Sequence, residues 1–438
     1  LIGNYQSVDV PGPMRDSLTW LLAAKASEHW IDPLAEQHFI DRVLPTIMGH
    51  RDVGITACPG ARAYALLPDI RSAVAGLLSS QPPQVRITAP SQNAAVRGVV
   101  EITASCSVPV GEATLFVDGT EVGSQSGGMY SWRWNTAAVP EGRHTLRVSV
   151  ENPGGVSAAD AAVWVDNTPP TGSVTVPTWS RSAAVPVTIG STDAVAVQFS
   201  NGWIWEGEDL RHQEGTGQRV EDPEALNGAA WRGTPGDAAG WWHGPYTLAL
   251  PTWRDYQVYY RLKSPQTSGA APLAILDIVD NLSTRAYASR TLAGQDLATA
   301  HYEEVALDLV YQNTAPTYNG EPNGLEFRTW FQAQADLYLD RVSVFTMPQD
   351  LPAPTWRVPG TEGEHTGVAR LLDEAGNHYD VPVTTRVDAT PPEELGTTAD
   401  GATRVMDALS GLDTSSAAWS ASANGGRTWS DWQTLPIT

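Results

Sequence analysis

The chain has 438 residues, a formal net charge of −22 and 42% hydrophobic residues, together with 39 glycines and 32 prolines. At roughly 100–200 residues per domain, this length predicts three or four domains. The acidic charge would repel a phosphate backbone, so no nucleic-acid partner is expected. Because the sequence has no run of about 18 apolar residues, no membrane span is expected either.

Residues 1–80 have an α/β pattern. Apolar side chains recur every three to four positions over 17–29 and again over 61–78, which predicts a helix in each range. The segment 47–49 between them predicts a short strand. The chain begins in one strand-like segment and stops inside another, so we expect both ends to be truncated.

Beyond residue 81 the apolar period changes to two, which is typical of half-buried strands. Residues 84–168 are predicted to form an Ig-like β-sandwich, with Asp118 and Gly119 as a hairpin turn. The string Val-Asp-Asn-Thr-Pro-Pro at 165–170 returns as Val-Asp-Ala-Thr-Pro-Pro at 387–392. Because Pro-Pro ends a strand ladder, we expect new domains to start near residues 169 and 391.

The interval between these two joints is too long for one small sandwich, which predicts that one domain is inserted into another. Residues 169–203 plus 353–390 would form a split Ig-like sandwich, and 204–348 a jelly-roll module carried in one of its loops. Residues 391–438 would begin an incomplete Ig-like domain. The predicted fold class is therefore multidomain, with a partial α/β domain followed by all-β sandwiches.

The residues that carry chemistry lie in 49–60, which reads Gly-His-Arg-Asp-Val-Gly-Ile-Thr-Ala-Cys-Pro-Gly. The imidazole of His50 and the thiolate of Cys58 are the kinds of ligand that zinc prefers. A catalytic zinc has three protein ligands and an open position for water, so two residues alone do not make a site. From the residues alone, a buried cysteine and a solvated histidine remain the alternative.

The 49–60 string resembles the signature of the zinc amidase family that includes peptidoglycan recognition proteins and N-acetylmuramoyl-L-alanine amidases, and the resemblance extends over residues 1–80. It implies that His50 and Cys58 are the second and third zinc ligands and that Thr56 is a catalytic residue beside the oxyanion. The zinc would activate water to hydrolyse the amide between N-acetylmuramic acid and L-alanine in peptidoglycan.

The sequence departs from this family pattern because the first zinc histidine and a catalytic tyrosine belong upstream of the matching stretch. The expectation is a secreted bacterial cell-wall amidase, extracellular or on the cell surface, of which this chain is an inactive part. The alternative is a non-catalytic surface protein that only binds peptidoglycan or another glycan.

The predicted insert carries two further sets of candidate residues. Glu206 and Glu208 at its start and Asp340 near its end resemble a pattern in carbohydrate-binding modules with a galactose-binding-like jelly roll, which implies a structural calcium ion. Acids on an exposed strand edge are the alternative. The aromatic side chains predicted to stack on a polysaccharide are Trp241, Trp242 and Trp330, with packing into the core as the alternative.

Overall fold

The structure is a computed structural model that describes residues 4–40, 42–282, 285–313, 317–318, 321–360, 362–397, 403–407, 410, 418–419 and 433–434. Strands make up 50% of the chain and helices 12%. The prediction of a chain built mostly of β-sandwiches is therefore confirmed. The finer prediction of an α/β amidase domain stays a prediction.

The N-terminal unit is mainly helical. The first predicted helix begins earlier than expected, and the second is divided at Leu66 because Pro68 has no N–H to continue the hydrogen-bond ladder. The prediction of a strand at 47–49 is wrong. Ile47 is buried, and its carbonyl accepts a hydrogen bond of 2.7 Å from Arg71 Nε, which ties this segment to a helix rather than to a sheet. The elements are the helices Gly12–Glu28, Ala61–Ala65 and Leu67–Ser79, the paired strands Glu36–Phe39 and Arg42–Pro45, and the 3-10 turn His50–Asp52.

The first β-sandwich follows directly, and its hairpin turns at Asp118 and Gly119 with φ of 49° and 80°. Positive φ at both central residues matches the predicted turn. The long strand Val99–Val117 pairs with Thr120–Asn135 along most of its length, with Val85–Ala89 at residues 103–106 and with Gly142–Asn152 at residues 112–117. The strands are Val85–Ala89, Ala95–Val96, Val99–Val117, Thr120–Asn135, Gly142–Asn152 and Gly155–Val165.

The helical unit and the first sandwich share one hydrophobic core. Helix residues Ala26, Ile70 and Val74 lie in the same buried cluster as Leu115 and Val148 of the sandwich. The helices therefore cover part of the sandwich and are held there by burial of apolar surface.

The next sandwich is assembled from two segments that are far apart in sequence. Strand Ala196–Ser200 pairs antiparallel with Gly363–Leu372, and Ala184–Pro186 pairs with Thr355–Arg357. Its core contains Phe199 from the first segment and Trp356 from the second, both almost fully buried. The other strands are Gly172–Thr175, Trp179–Ser180, Thr188–Ser191, Gln349–Asp350 and His378–Val387.

The residues between these segments form a separate two-sheet sandwich with its own core. Its first strand, Ile204–Glu206, pairs antiparallel with its last, Leu337–Thr346, so the chain enters and leaves the module at nearly the same place. One sheet also contains Gln218–Glu221, Ala229–Gly233, Arg254–Lys263 and Glu303–Tyr311. The other contains Arg211–His212, Gly240–Thr247, Pro272–Asp280, Ala286–Ala293 and Leu325–Phe331. A short pair, Thr317–Tyr318 and Glu321–Pro322, lies apart from both.

The insert is anchored to its host sandwich through Arg370, which is only 2% exposed. Its guanidinium bonds Glu304 of the insert at 2.5 Å and Asp380 of the host at 2.7 Å, and it stacks over Tyr259 and Phe345 of the insert. A buried cation paired on both sides is costly to break, so the two sandwiches are firmly joined here.

The last described strands are Glu393–Thr397 with Thr403–Met406, and Ala418–Trp419 with Gln433–Thr434. Most of the predicted C-terminal Ig-like domain at 391–438 lies outside the described residues. Within the described part of the chain, no helix combines the length and the apolar character needed to cross a membrane.

Candidate functional site

The loop that carries the predicted zinc ligands is held closed by hydrogen bonds at its base. Arg51 N donates to Cys58 O at 3.0 Å, which brings the two ends of the loop together. The carboxylate of Asp52 accepts from Gly49 N at 2.7 Å and from the hydroxyl of Tyr64 at 2.5 Å. The Asp52 carboxylate beside it raises the pKa of Tyr64, so the tyrosine stays protonated as a donor at neutral pH.

Two glycines of this loop lie in close contacts, and one of them must be glycine. Gly60 has φ of +95°, and a Cβ there would lie 2.5 Å from the carbonyl carbon of Tyr5. A Cβ at Gly54 would lie 3.0 Å from His50 Nε2, so the imidazole lies directly against this glycine. The loop can therefore approach the backbone of the N-terminal segment closely only because Gly60 has no side chain.

His50, Thr56 and Cys58 all lie exposed on this loop. Thr56 Oγ1 accepts a hydrogen bond of 3.1 Å from Cys58 N, which ties the threonine to the cysteine. Accepting in this way leaves the hydroxyl proton for another partner. Within the described residues, no group of three or more His, Cys, Asp or Glu side chains is placed to hold a metal ion. The imidazole and thiolate suit zinc as two ligands, and the zinc site stays a prediction.

The three carboxylates of the predicted calcium site lie where the first and last strands of the insert meet. Asp340 is fully buried, and Arg261 forms an ion pair with it. Arg341 bridges the group, with its guanidinium 3.3 Å from Glu206 and 3.9 Å from Asp340. Glu208 accepts a hydrogen bond of 2.7 Å from Asn227.

Two oxygens of this cluster, Glu206 Oε2 and Glu208 Oε2, are buried and have no hydrogen-bond partner in the described structure. Burial raises the pKa of Glu206 and of Asp340, because a carboxylate out of water is costly to charge. Unpartnered buried carboxylate oxygens fit a hard cation. Within the described residues these three carboxylates are not placed as a metal-binding group, and two arginines already supply positive charge, so the calcium site also stays a prediction.

The predicted sugar-binding tryptophans do not share one environment. Trp241 and Trp330 are half-buried cross-strand neighbours on the outer face of the five-stranded sheet, with ring centroids 4.8 Å apart. Trp242 is fully buried, stacks on Phe331 and donates from Nε1 to Thr216. The interpretation of Trp242 as a sugar-binding residue is therefore wrong, because its ring faces the core.

Sequence reasoning missed the polar residues of this outer face. Arg328 stacks 4.2 Å over Trp241 and forms a two-bond pair with Asp277 at 2.7 and 2.6 Å. His243 Nδ1 lies 2.8 Å from Glu326 and 2.8 Å from the hydroxyl of Tyr246. Burial raises the pKa of Glu326 despite the neighbouring histidine.

The strand alternation was the signal that could have found this face. In Gly240–Thr247, odd-numbered side chains from Trp241 to Pro245 share one side of the sheet, and Trp242 falls on the other. We call the odd-numbered side, with its partners on Leu325–Phe331 and Pro272–Asp280, the tryptophan face.

Comparison with known proteins identifies one part of the chain. The bacterial Ig domain family matches residues 83–148, within the first sandwich. No curated protein matches the chain significantly in sequence.

Three solved structures resemble parts of this chain, with low overall structural similarity. The fibronectin(III)-like modules of Clostridium thermocellum CbhA are 25% identical over 19% of this chain and 96% of that chain, with a TM-score of 0.17. A structure of carbohydrate-binding modules from the β-sandwich superfamily is 14% identical over 60% of this chain and 98% of that chain, with a TM-score of 0.21. The endo-β-1,4-mannanase from Thermotoga petrophila is 16% identical over 26% of this chain and 26% of that chain, with a TM-score of 0.18. This chain thus spans about a quarter of the mannanase, and TM-scores this low carry no functional argument.

Proposed function

We propose that this chain belongs to a zinc-dependent N-acetylmuramoyl-L-alanine amidase of the bacterial cell wall, exported to the cell surface, whose β-sandwich insert binds glycan. The observation that carries the amidase proposal is the closed loop 49–60, which exposes His50 and Cys58 and ties its two ends by one backbone hydrogen bond. The bacterial Ig domain at 83–148 is compatible with an extracellular or surface location.

Each side chain of the loop has a role in this proposal. His50 and Cys58 would be two ligands of a zinc ion, which when bound lowers the pKa of water and polarises a carbonyl. Thr56 accepts from Cys58 N, and its hydroxyl would donate a hydrogen bond to the oxygen that gains charge as the amide is attacked. Asp52 and Tyr64 hold the loop in position through the hydrogen bond between the Tyr64 hydroxyl and the Asp52 carboxylate.

A non-catalytic peptidoglycan-binding protein is the second candidate. It is favoured by the two-ligand donor set of the described residues, in which no third metal-binding side chain joins His50 and Cys58. The two candidates differ in whether the parent protein supplies a first histidine upstream of the loop.

The deciding experiment measures zinc stoichiometry and amide cleavage on purified peptidoglycan, for this chain and for a version extended upstream in its own gene. Zinc near one per chain and new L-alanine amino termini only in the extended form would support the amidase. Peptidoglycan binding without zinc or cleavage in the extended form would replace it with the second candidate.

Variants of the extended form give an independent readout. Cobalt bound by a thiolate absorbs in the near ultraviolet, and we expect Cys58→Ser to remove this band and His50→Gln to weaken cobalt binding. His29→Gln is the matched control, because His29 is an exposed histidine at the end of the first helix. An unchanged spectrum in Cys58→Ser would exclude the cysteine as a ligand.

The glycan-binding part of the proposal is supported by the tryptophan face. Two half-buried indoles lie side by side on an outer sheet face, next to hydrogen-bonding side chains, and aromatic faces of this kind stack on sugar rings. Retention of the whole chain on insoluble cell-wall polysaccharides tests it. We expect Trp241→Ala and Trp330→Ala to lose retention. Trp253→Ala removes a 65% exposed tryptophan elsewhere in the insert, and it should leave retention on the polysaccharide unchanged.

A further inference from the structure

The outer face of the five-stranded sheet does not end at the tryptophan pair. Along Gly240–Thr247 the outward positions run from Trp241 through His243 to Pro245, a distance of about 13 Å at about 3.3 Å per residue. Across the sheet their partners are Trp330, Arg328 and Glu326 in the same order. Aromatic and polar side chains therefore form one strip along the strand.

The far end of this strip opens into a cleft of about 290 Å³. Its walls include the half-buried rings of Trp205 and Tyr246, and its polar groups include the exposed Asp209 and Arg211. The Arg211 guanidinium lies 4.8 Å over the Tyr246 ring. Rings beside a hydrogen-bond donor and an acceptor are the groups that recognise a sugar with its hydroxyls.

The middle of the strip is pre-formed. Arg328 is held by Asp277 through two short bonds, and Glu326 lies 2.8 Å from Nδ1 of His243. This arrangement leaves Nε2 of His243 as a hydrogen-bonding group for a ligand. Side chains that are already fixed lose little rotational freedom when a ligand binds.

Charge along the strip favours an uncharged ligand. Each cation has a carboxylate beside it or in the same cleft: Arg328 has Asp277, and Arg211 has Asp209, with Glu206 also lining the cleft. The chain as a whole carries −22. A polyanion would gain no net attraction here, whereas hydroxyl groups meet both donors and acceptors.

We propose that the tryptophan pair and the Arg211–Tyr246 cleft form one continuous groove that binds a neutral oligosaccharide of several units along strand Gly240–Thr247. The proposal rests on glycan binding by the tryptophan face and adds the class and the length of the ligand. The tryptophan pair binds one end of the oligosaccharide, and the Arg211–Tyr246 cleft binds the other end.

Calorimetry on the whole chain tests this groove. The probes are the disaccharide and tetrasaccharide of each neutral polysaccharide that retains the protein, with polygalacturonate as the anionic comparison. We expect the tetrasaccharide to bind more tightly than the disaccharide. Arg211→Ala should weaken only the tetrasaccharide, by about fivefold to tenfold. Arg219→Ala, an exposed arginine on the other sheet, is the matched control and should change neither.

Tyr246→Phe provides a second variant that removes only a hydroxyl, and we expect it to shift the same length preference. Equal affinity for both lengths, or equal effects of Arg211→Ala and Arg219→Ala, would overturn the groove and leave the tryptophan pair as a single-sugar site. Tighter binding of polygalacturonate that disappears at about 1 M salt, where the Debye length is about 3 Å, would overturn the neutral class. Polysaccharide retention unchanged by Trp241→Ala and Trp330→Ala would overturn the underlying glycan-binding function instead.

Discussion

The zinc-ligand loop and the tryptophan face are built in opposite ways. The loop is one continuous segment, 49–60, and its residues His50, Thr56 and Cys58 lie exposed. The tryptophan face draws its residues from three separate strands and lies over a core that includes Trp242, Phe327 and Phe331. The loop is fixed mainly by its own glycines and hydrogen bonds, whereas the face is fixed by the packing beneath it.

This difference decides what sequence reasoning can find. A continuous loop keeps its functional residues together, so their order and spacing are visible without a fold. On the sheet, neighbours in sequence have opposite roles and partners in space are distant in sequence. Substitutions in the core of the insert should therefore affect the tryptophan face most. Substitutions that alter backbone geometry should instead affect the loop.

The largest effect is expected from Trp242→Ala, because it removes a fully buried indole from the insert core. The expected loss in the free energy of unfolding is about 3–5 kcal/mol. The neighbouring Trp241→Ala removes a half-buried ring from the outer face, and it should cost less than about 1 kcal/mol. Urea denaturation measures the free energy of unfolding of both variants. Equal losses would mean that the two rings do not lie on opposite sides of the sheet.

The next effect is pH dependence at His212, whose ring stacks on Trp231 at 3.5 Å. Burial lowers the pKa of His212 from 6.5 to about 4, because the charged imidazole is poorly solvated there. A depressed pKa contributes stability that is present above 6.5 and lost as pH falls through about 4. At about 1.36 kcal/mol per pKa unit, the loss is about 3 kcal/mol.

His212→Phe keeps an aromatic ring without the titration, so it is the comparison for this measurement. Denaturation midpoints at pH 7 and at pH 4 should show the intact chain losing more stability than the variant. Parallel pH profiles would show that His212 remains solvated in the folded protein.

Adding calcium tests whether a metal ion, in addition to the two arginines, balances the charge of the carboxylate cluster in the insert. Binding to Glu206, Glu208 and Asp340 would stabilise the folded chain by about 2.7 kcal/mol at a hundredfold excess over Kd. We expect the melting temperature to rise with Ca²⁺, to fall with a chelator and to become insensitive in Glu208→Gln. A melting temperature that ignores Ca²⁺ would mean that Arg261 and Arg341 alone balance the carboxylates.

The smallest effects concern the loop and the helices beneath it. Gly60→Ala places a Cβ 2.5 Å from the Tyr5 backbone at a positive φ, and should destabilise the N-terminal unit by about 2 kcal/mol. Gly76→Ala is the matched control, since Gly76 is helical with nothing within 4 Å of the added Cβ. It should stabilise the unit by about 0.5–1 kcal/mol. Denaturation followed by the helical circular-dichroism signal compares them, because the described α-helices all lie in the N-terminal unit. Equal effects would mean that the loop adjusts freely.

Local patterns predicted much of the fold. Period-two strands, the Asp118–Gly119 turn and the apolar face of the second helix all follow from short-range spacing, and the structure has each of them. The strand at 47–49 was wrong because Ile47 is bound by Arg71, a residue 24 positions away. The shared core of the helices and the first sandwich could not be predicted either, since it depends on how two units dock.

The sequence by itself determined the loop: the order of His50, Thr56 and Cys58, the glycines that allow its close contacts, and the strand-ending prolines around the sandwiches. These are short-range properties, and the backbone alone enforces them. Only the tertiary structure decided that Trp241 and Trp330 meet while Trp242 is buried, that Arg341 bridges Glu206 and Asp340, and that the cleft at Arg211 continues the same face. Strand pairing sets these contacts, and its register is fixed by burying one side of the whole sheet rather than by any residue in isolation.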